Sequence, residues 1–364
     1  MTRGFWLAVA ASIGLAAFAL TAPALAASAP SPPRYDHVIV IVEENKDYDQ
    51  ILDPAVAPHI AHLAQAYGNA VNFWGEVHPS EANYMALLGG DTFGVHDDDA
   101  FYCKPGLVDP QCPGAGKPGY VDHTAHAPHL GDQLAAAGLT WKGYYENLPA
   151  PGSLVPNYSD PAHPALTPGS ALYASKHSGF LNFASVQADP ERAQHIVGFD
   201  QFEADLAADA LPSFALLIPN QCNEMHGVRA PWISHDCDGI DLLALIRRGD
   251  AEVDALVRKI QASEAWRGAG NFAIVVTFDE GSGGSRGGCC AVTPDAPSNF
   301  GGGHIPTIVI TNHGPRGLSD AVAYNHYSLL RTLEDVFGLP QHLRHAAETD
   351  KGVVDMTPLF AVQP

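Results

Sequence analysis

Four apolar runs separated by long polar stretches most constrain how this chain can fold. They are His37–Val42, Phe214–Ile218, Phe272–Phe278 and Ile305–Thr311, and Trp141–Tyr145 is a weaker fifth run. The four runs are rich in β-branched residues and show no alternation of polar and apolar positions. Strands that are covered on both faces, as in a parallel or mostly parallel sheet, have this pattern. The runs therefore predict the buried strands of an α/β sheet.

Segments with helical periodicity lie between these runs. Apolar residues recur at the spacing of one helix face within 253–260 and 329–337, and a shorter helix is predicted around 130–134. Strands that alternate with helices predict a central mostly parallel sheet with helices on both faces. Two long loops, roughly 91–127 and 146–180, are expected to cover the site, because loops of this length often form lids or site walls.

The first 27 residues have the features of a secretory signal peptide. A positive charge at Arg3 precedes an apolar run over residues 5–20 and a small-residue end near Ala27. An uncleaved membrane anchor is the alternative. We expect residues 28–34 to be a linker and 35–364 to be a single domain. The rest of the sequence has no second stretch of 18 apolar residues, so we expect no stable membrane insertion after cleavage.

Composition argues against several classes of partner. The 364 residues include 19 Lys and Arg against 40 Asp and Glu, which gives a formal net charge of −21. A nucleic-acid-binding protein needs a basic surface, so we expect no nucleic-acid partner. The same charge argues against docking on anionic lipid through a polybasic patch. A small anionic substrate stays possible, because a bound metal can reverse the local field.

Six cysteines have a structural meaning in an exported protein, because disulfides persist in oxidising compartments. The preferred pairs are Cys103–Cys112 and Cys222–Cys237, each of which closes a short loop. Cys289 and Cys290 are then either a vicinal bridge or a free pair. The chain lacks a C-x-x-C pair, so a zinc ribbon is not indicated.

Polar residues directly follow three of the predicted strands. Glu44 and Asn45 follow the first strand, Asn220–His226 follows the second, and Asp279 and Glu280 follow the third. Ligands bind outside the carboxyl ends of strands in open α/β sheets. Oxygen-rich ligands with a few imidazoles suit a divalent cation. The sequence therefore predicts one convergent site for a divalent metal ion whose identity is open.

A second segment, His78-Pro-Ser-Glu-Ala-Asn-Tyr84, precedes a predicted helix. Ser80 stands where unpaired backbone N–H groups and the helix dipole favour anions. Its hydroxyl is a nucleophile if a metal lowers its pKa, but serine is also a preferred N-cap, so both roles stay open. Later in the chain, three glycines precede His304, which either completes the metal or phosphate site or lies on a flexible loop.

The sequence resembles the phosphoesterase family, which contains secreted acid phosphatases and bacterial phospholipases C and belongs to the alkaline-phosphatase-like superfamily. The resemblance runs from about residue 36 to about residue 340. It is carried, in order, by HVIVIVEENKDYDQIL, HPSEANYMALLGGDTFG, PNQCNEMHG, VTFDEG, GGGHIPTIVIT and YNHYSLLRTLEDVFGL. It implies an alkaline-phosphatase-like α/β fold in which long loops lie over the site.

The resemblance also implies roles for particular positions. The metal ligands would be Glu44, Asn45, Ser80, Asp279 and Glu280. Ser80 would also be the nucleophile that is transiently phosphorylated. The residues that would bind the phosphoryl group are His78, Asn83, His226 and His304, and the last three would also take part in catalysis. His226 and His304 are alternatively ligands of a second metal. Glu224 and Gly227 stand where the family often has Asp, which weakens a second metal site.

Residues and resemblance together predict an exported, periplasmic or secreted, metal-dependent phosphatase. It would hydrolyse small phosphate monoesters through a phosphoserine, and histidines protonated at low pH would add positive charge. The alternative is a phosphodiesterase of the phospholipase C type that acts on phospholipid head groups. We rank it second because such family members tend to carry additional C-terminal domains. A non-catalytic metal-stabilised binding module is a third reading, but it would lack the nucleophile.

Overall fold

The computed structural model describes residues 1–2, 4, 32–163, 167–292 and 301–362. Ser31–Pro364 form one compact unit. Apart from residues 1, 2 and 4, the predicted signal peptide lies outside the described residues, as does most of the linker. Within the described ranges, no helix is both long enough and apolar enough to cross a membrane.

Thirteen strands are present in the described part of the chain. They are β1 His37–Glu43, β2 Gly68–Ala70, β3 Phe73–Trp74, β4 Trp141–Tyr145, β5 Asn157–Tyr158, β6 Tyr173–Ala174, β7 Ile196–Gly198, β8 Phe214–Ile218, β9 Phe272–Phe278, β10 His304–Ile305, β11 Thr307–Thr311, β12 Leu318–Asp320 and β13 Tyr324–Asn325. Eight of them form the central sheet in the order β12-β2-β11-β9-β1-β8-β4-β7. Two smaller sheets have the orders β10-β3-β13 and β5-β6.

Eleven α-helices lie between these strands in the described residues. They are α1 Tyr48–Ile51, α2 Pro58–Ala66, α3 Glu81–Gly89, α4 Leu130–Ala136, α5 Ala184–Ala188, α6 Arg192–His195, α7 Phe199–Ala207, α8 Leu242–Gln261, α9 Glu264–Arg267, α10 His326–Phe337 and α11 Thr357–Phe360. The helices predicted from periodicity correspond to α4, α8 and α10. The chain therefore alternates strands with helices, as the pattern indicates.

The central sheet is mostly parallel. The five strands β7, β4, β8, β1 and β9 are parallel to one another, whereas β11 runs antiparallel to both β9 and β2. All seven residues of β9 are buried, so both faces of this strand are covered. The predicted fourth strand is split at Pro306 into β10 and β11, because proline has no N–H to donate to a ladder. These observations confirm the predicted α/β class.

Helix α3, which follows Ser80, is packed at the centre of the molecule. All nine of its residues are buried, and a helix that is enclosed on every side needs no polar face. It ends at Gly90, whose φ of 74° is left-handed. A Cβ at Gly90 would lie 2.4 Å from the Leu343 carbonyl oxygen, so the close approach of these segments requires glycine.

The disulfides follow the predicted pairing. Cys103–Cys112 and Cys222–Cys237 are both formed, and of the two alternatives for the last pair, Cys289 and Cys290 form the vicinal bridge. The first bridge lies in the loop that leads away from α3. The second closes the segment that follows β8. Both therefore tie down long segments near the carboxyl ends of the strands.

Glu334 on α10 is a buried carboxyl whose titration should affect stability. Its Oε1 accepts a hydrogen bond from the backbone N–H of Leu343 at 2.8 Å, and burial raises its pKa to about 7. From about pH 4.5 to 7 the folded state holds a proton that the unfolded chain has released, so stability falls as pH rises. We expect Glu334→Gln to be more stable than the wild type at pH 8 by about 2–3 kcal/mol, and this advantage to shrink towards pH 4.5. Urea unfolding across pH 5–8 measures this, and parallel curves for the two proteins would contradict it.

Candidate active site

The carboxyl ends of three neighbouring strands meet at one place. The backbone N–H of Glu44, after β1, donates to the Glu224 carbonyl oxygen, after β8, at 2.8 Å. The Asp279 N–H, after β9, donates to the Glu43 carbonyl oxygen at 3.0 Å. The Asn45 N–H in turn donates to Asp279 Oδ1 at 3.1 Å. Backbone hydrogen bonds thus hold these three acidic segments together.

The Ser80 side chain faces this acidic group. Ser80 is buried, and its hydroxyl donates to Glu44 Oε2 at 3.3 Å. It stands immediately before α3, yet its side chain makes no capping hydrogen bond, and its own backbone is α-helical. An N-cap serine instead has extended backbone and accepts from an N–H of the first turn. The N-cap reading of Ser80 therefore fails, and the hydroxyl is directed at the carboxylates.

Two histidines join Glu44 in a possible metal site. Ligand atoms of Glu44, His177 and His226 all lie within 4.8 Å of one another. His177 Nε2 is 2.7 Å from Glu44 Oε1, and His177 Nδ1 is 2.6 Å from Glu224 Oε1. His226 Nδ1 lies 2.8 Å from the Gly227 carbonyl oxygen, which fixes the ring, and its Nε2 lies 3.2 Å from Lys176 Nζ.

The sequence reasoning did not identify His177. This residue ends a short 3₁₀ helix, Ser175–His177, within the long loop 146–180. The loop was expected to cover the site, but it has no periodic pattern that would show which of its side chains points into the site. The adjacent basic pair Lys176-His177 was the available signal, because such a pair is unusual in a chain with only 19 Lys and Arg.

Several buried carboxyl groups lie close together at this site, and their pKa values are raised. Burial, followed by the charge of Glu44, raises the pKa of Glu224 and of Asp279 well above the ordinary values. Burial and then Asp279 raise the pKa of Glu280 to about 11. Asp279 Oδ2 and Glu224 Oε2 have no hydrogen-bond partner among the described residues. Such carboxyl groups are neutralised either by protons or by a bound cation.

The residues present fit a divalent cation. Carboxylate oxygens and imidazole nitrogens are ligands that such ions take, and the unpartnered oxygens are donors that an ion would satisfy. Burial and the nearby Lys176 lower the pKa of both His177 and His226 well below the ordinary value. A lowered pKa favours the neutral imidazole, which is the form that binds metal.

Lys176 supplies the fixed positive charge. It is buried, and its Nζ lies 2.9 Å from Asp98 Oδ2 and 3.2 Å from His226 Nε2. Burial by itself lowers the pKa of this lysine, but Asp98 and Glu44 raise it above the ordinary value overall. The ammonium group thus remains charged beside the candidate site.

Asn83 and His78 organise the loop that precedes Ser80. Asn83 Oδ1 accepts from the backbone N–H groups of Glu76 and Val77 at 3.0 and 3.2 Å, and its Nδ2 is 3.5 Å from Glu280 Oε2. His78 Nδ1 lies 2.9 Å from the same Glu280 oxygen. The structure therefore brings both residues to the metal-side carboxyl Glu280, and much of the hydrogen-bonding capacity of Asn83 serves the loop.

The environment of His304 is different. Its ring stacks on Tyr48 at 4.5 Å and on Trp74 at 5.0 Å, and its Nε2 lies 3.0 Å from the Val71 carbonyl oxygen. These contacts make an aromatic stack, and they do not include Ser80 or the carboxylates. Asn45, by contrast, directs its side-chain amide to Glu44 Oε2. Of the residues expected in the site, His304 is the one whose described contacts lie elsewhere.

Solved structures share the fold. PsFucS1 sulfatase from a Pseudoalteromonas species matches with a TM-score of 0.51 and 13% identity, covering 90% of this chain and 72% of its own. A structure from Bacteroides thetaiotaomicron, BT33336S-sulf, matches with a TM-score of 0.53 and 12% identity, covering 91% of this chain and 83% of its own. At these identities the likeness concerns the fold alone.

Sequence relatives are phosphatases by name. A phosphatidylinositol-3-phosphatase of Mycobacterium tuberculosis is 30% identical over 336 residues, which are 92% of this chain and 84% of the relative. An acid phosphatase of Aspergillus fumigatus is 28% identical over 82% of this chain and 54% of its own length. The pattern of the Phosphoesterase family matches residues 51–340. The chain therefore belongs to the Phosphoesterase family and is an acid-phosphatase-like phosphoric ester hydrolase.

Proposed function

We propose that this protein is an exported, metal-dependent phosphatase that hydrolyses phosphate monoesters through a phosphoserine at Ser80. The observation that carries the proposal is the Ser80 hydroxyl. It is buried, makes no capping hydrogen bond and donates to Glu44 Oε2 at 3.3 Å. The side-chain oxygen of a serine that only capped a helix would accept a hydrogen bond from a backbone N–H of the first turn.

The divalent metal ion would be held by Glu44, Asn45, Asp279 and Glu280, with Ser80 beside them. His177 and His226 offer two nitrogen ligands that the sequence did not assign together. When bound, the ion would neutralise these carboxylates and supply the positive charge that a phosphoryl group and an attacking oxygen need. Metal analysis of the purified protein is the direct measurement of its identity and number.

The side chains of the protein would carry the remaining steps. Ser80 Oγ attacks phosphorus and passes its proton to Glu44 Oε2, at which the hydroxyl points, as the bond from phosphorus to the leaving oxygen breaks. The leaving oxygen takes a proton from water. Water then attacks phosphorus, so that inorganic phosphate leaves and the serine hydroxyl is restored. The Lys176 ammonium, 3.2 Å from His226 Nε2, provides fixed charge for the phosphoryl oxygens.

A phosphodiesterase of the phospholipase C type is the competing function. The relatives are named as phosphatases, which favours the monoester. We expect kcat/KM for p-nitrophenyl phosphate to exceed that for bis-p-nitrophenyl phosphate and for phosphatidylcholine by at least about tenfold. A preference for either diester would reverse this ranking. The Ser80→Ala variant, run with each substrate, removes background activity from the comparison.

Export is supported by the cysteines. All six are paired in the three disulfides, and such bridges persist in oxidising compartments. We therefore place the mature protein in the periplasm or outside the cell. N-terminal sequencing of the secreted or periplasmic protein tests this, and a chain that retains residues 1–27 would contradict cleavage.

A further inference from the structure

Three consecutive aspartates in the loop after α3 each hold a different group. Asp97 Oδ1 lies 3.1 Å from Nε2 of the fully buried His123. Asp99 Oδ2 accepts from the Tyr120 hydroxyl at 2.9 Å and from the Gly114 N–H at 2.8 Å. Both of these side chains therefore fasten the loop to itself and to its surroundings. Asp98, which lies between them, is turned towards the candidate active site.

Asp98 connects two parts of that site. Its Oδ1 accepts from the backbone N–H of Glu81 at 3.2 Å, and its Oδ2 accepts from Lys176 Nζ at 2.9 Å. Glu81 is the residue directly after Ser80 and the first of α3. Lys176 precedes His177 and contacts His226. One carboxylate thus bridges the first turn of the nucleophile's helix and the buried ammonium.

The first turn of α3 needs such a partner. The N–H groups at a helix start have no intrahelical acceptor, and the residue before the helix usually satisfies one of them. Ser80 does not, because its hydroxyl is directed to Glu44. Asp98 supplies an acceptor for the Glu81 N–H, and the Ser80 hydroxyl keeps its contact with Glu44. A carboxylate there also suits the positive end of the helix dipole.

The ammonium of Lys176 needs a partner as well. A buried lysine is stable as a cation only when it is paired, and a charge-assisted hydrogen bond also fixes its direction. Asp98 is that partner, and it places Nζ beside His226. The same carboxylate thereby sets the relative position of the nucleophile and the fixed cation.

We propose that Asp98 is a positioning residue for the phosphatase reaction. It accepts from the first N–H of α3, which anchors the start of the helix beside Ser80, and it holds Lys176 beside His226. This inference rests on the proposed function, because it assigns the nucleophile to Ser80. It adds a residue that does not touch substrate and that acts through two residues that do.

The test compares Asp98→Asn and Asp98→Ala with Asp99→Asn in the full mature chain. Asparagine keeps an acceptor for the Glu81 N–H but loses the charge that holds Lys176, whereas alanine loses both. With p-nitrophenyl phosphate we expect Asp98→Asn to lower kcat by about 10-fold and to raise KM by about 3-fold. Asp98→Ala should lower kcat by about 100-fold or more, because Ser80 and Lys176 are then both misplaced.

Asp99→Asn is the matched control, since it removes hydrogen bonds from the same loop without touching Glu81 or Lys176. We expect it to lower Tm but to leave kcat and KM within about 2-fold of the wild type. Metal content, measured in all three variants, should remain that of the wild type. If Asp98→Ala does not fold, Asp98→Asn decides the question.

The outcomes separate the inference from the proposed function. If Asp99→Asn slows turnover as much as Asp98→Asn, the loop acts only through stability and the inference is wrong. It is also wrong if Asp98→Asn keeps both kinetic constants within 2-fold while the wild type is active. A wild type with bound metal but no activity on any phosphate ester would overturn the proposed function, and the inference with it.

Discussion

Ser80→Ala should lower kcat for p-nitrophenyl phosphate by at least about three powers of ten. Each power corresponds to about 1.4 kcal/mol of transition-state stabilisation, and loss of a nucleophile removes a whole covalent step. The fold should survive, because Ser80 makes no capping hydrogen bond that alanine would remove. Stopped reactions with ³²P-labelled substrate should trap phosphoserine in the wild type and none in the variant.

Ser263→Ala is the control for this variant. Ser263 caps α9 by accepting from the Trp266 N–H at 3.2 Å. Its replacement should cost about 1 kcal/mol of stability and leave kcat unchanged. The two serines should thus show opposite behaviour, one affecting rate without stability and the other affecting stability without rate. Ser80→Ala with unchanged turnover would refute the assignment of the nucleophile.

Asp279→Asn should have two effects of opposite sign. Activity should fall by at least about 10³-fold, because the proposed metal site would lose a principal ligand. The metal-free variant should nevertheless be more stable at pH 7 than the metal-free wild type, by about 1–3 kcal/mol. Burial and the charge of Glu44 raise the pKa of Asp279 well above its ordinary value. Burying this carboxyl group without a metal therefore destabilises the folded state. Asparagine removes that group.

Turnover of p-nitrophenyl phosphate measures the loss of activity, and thermal unfolding with and without chelator measures the change of stability. Divalent metal should raise the Tm of the wild type with increasing concentration, since it binds the folded state alone, and should raise the Tm of the variant much less. Asp205→Asn is the control, because Asp205 is already paired with Lys142 and accepts from the Tyr144 hydroxyl at 2.7 Å. That variant should be less stable in either condition. A chelated Asp279→Asn that is less stable than the chelated wild type would contradict this account.

The fold could be predicted from the sequence to a large extent. β8, β9 and β4 begin and end where the apolar runs do, because a strand that is covered on both faces is mostly apolar along its length. The direction of β11 could not be predicted. Apolar runs look the same in either orientation, and the contact of β11 with β9 and β2 is fixed only when the chain is packed.

The site divides in the same way. Glu44, Asn45, Asp279 and Ser80 were predictable because strand ends and a helix start are marked in the sequence by abrupt changes of polarity. His177, Lys176 and Asp98 were not, because they lie on long loops in which no periodicity fixes which side chain turns inward. From the sequence, His304 was expected either in the metal or phosphate site or on a flexible loop. Packing places its ring against Tyr48 and Trp74.

The sequence by itself determined the layer architecture, the first two disulfide pairs and the acidic groups at the ends of β1 and β9. Local pattern and short chain separation are sufficient for these features. The tertiary structure decided that the Ser80 hydroxyl faces Glu44, that two imidazoles join the acidic cluster, and that Asp98 reaches both Glu81 and Lys176. Such contacts join residues up to about 130 positions apart, as between Glu44 and His177, and only packing around the sheet brings them within hydrogen-bond distance.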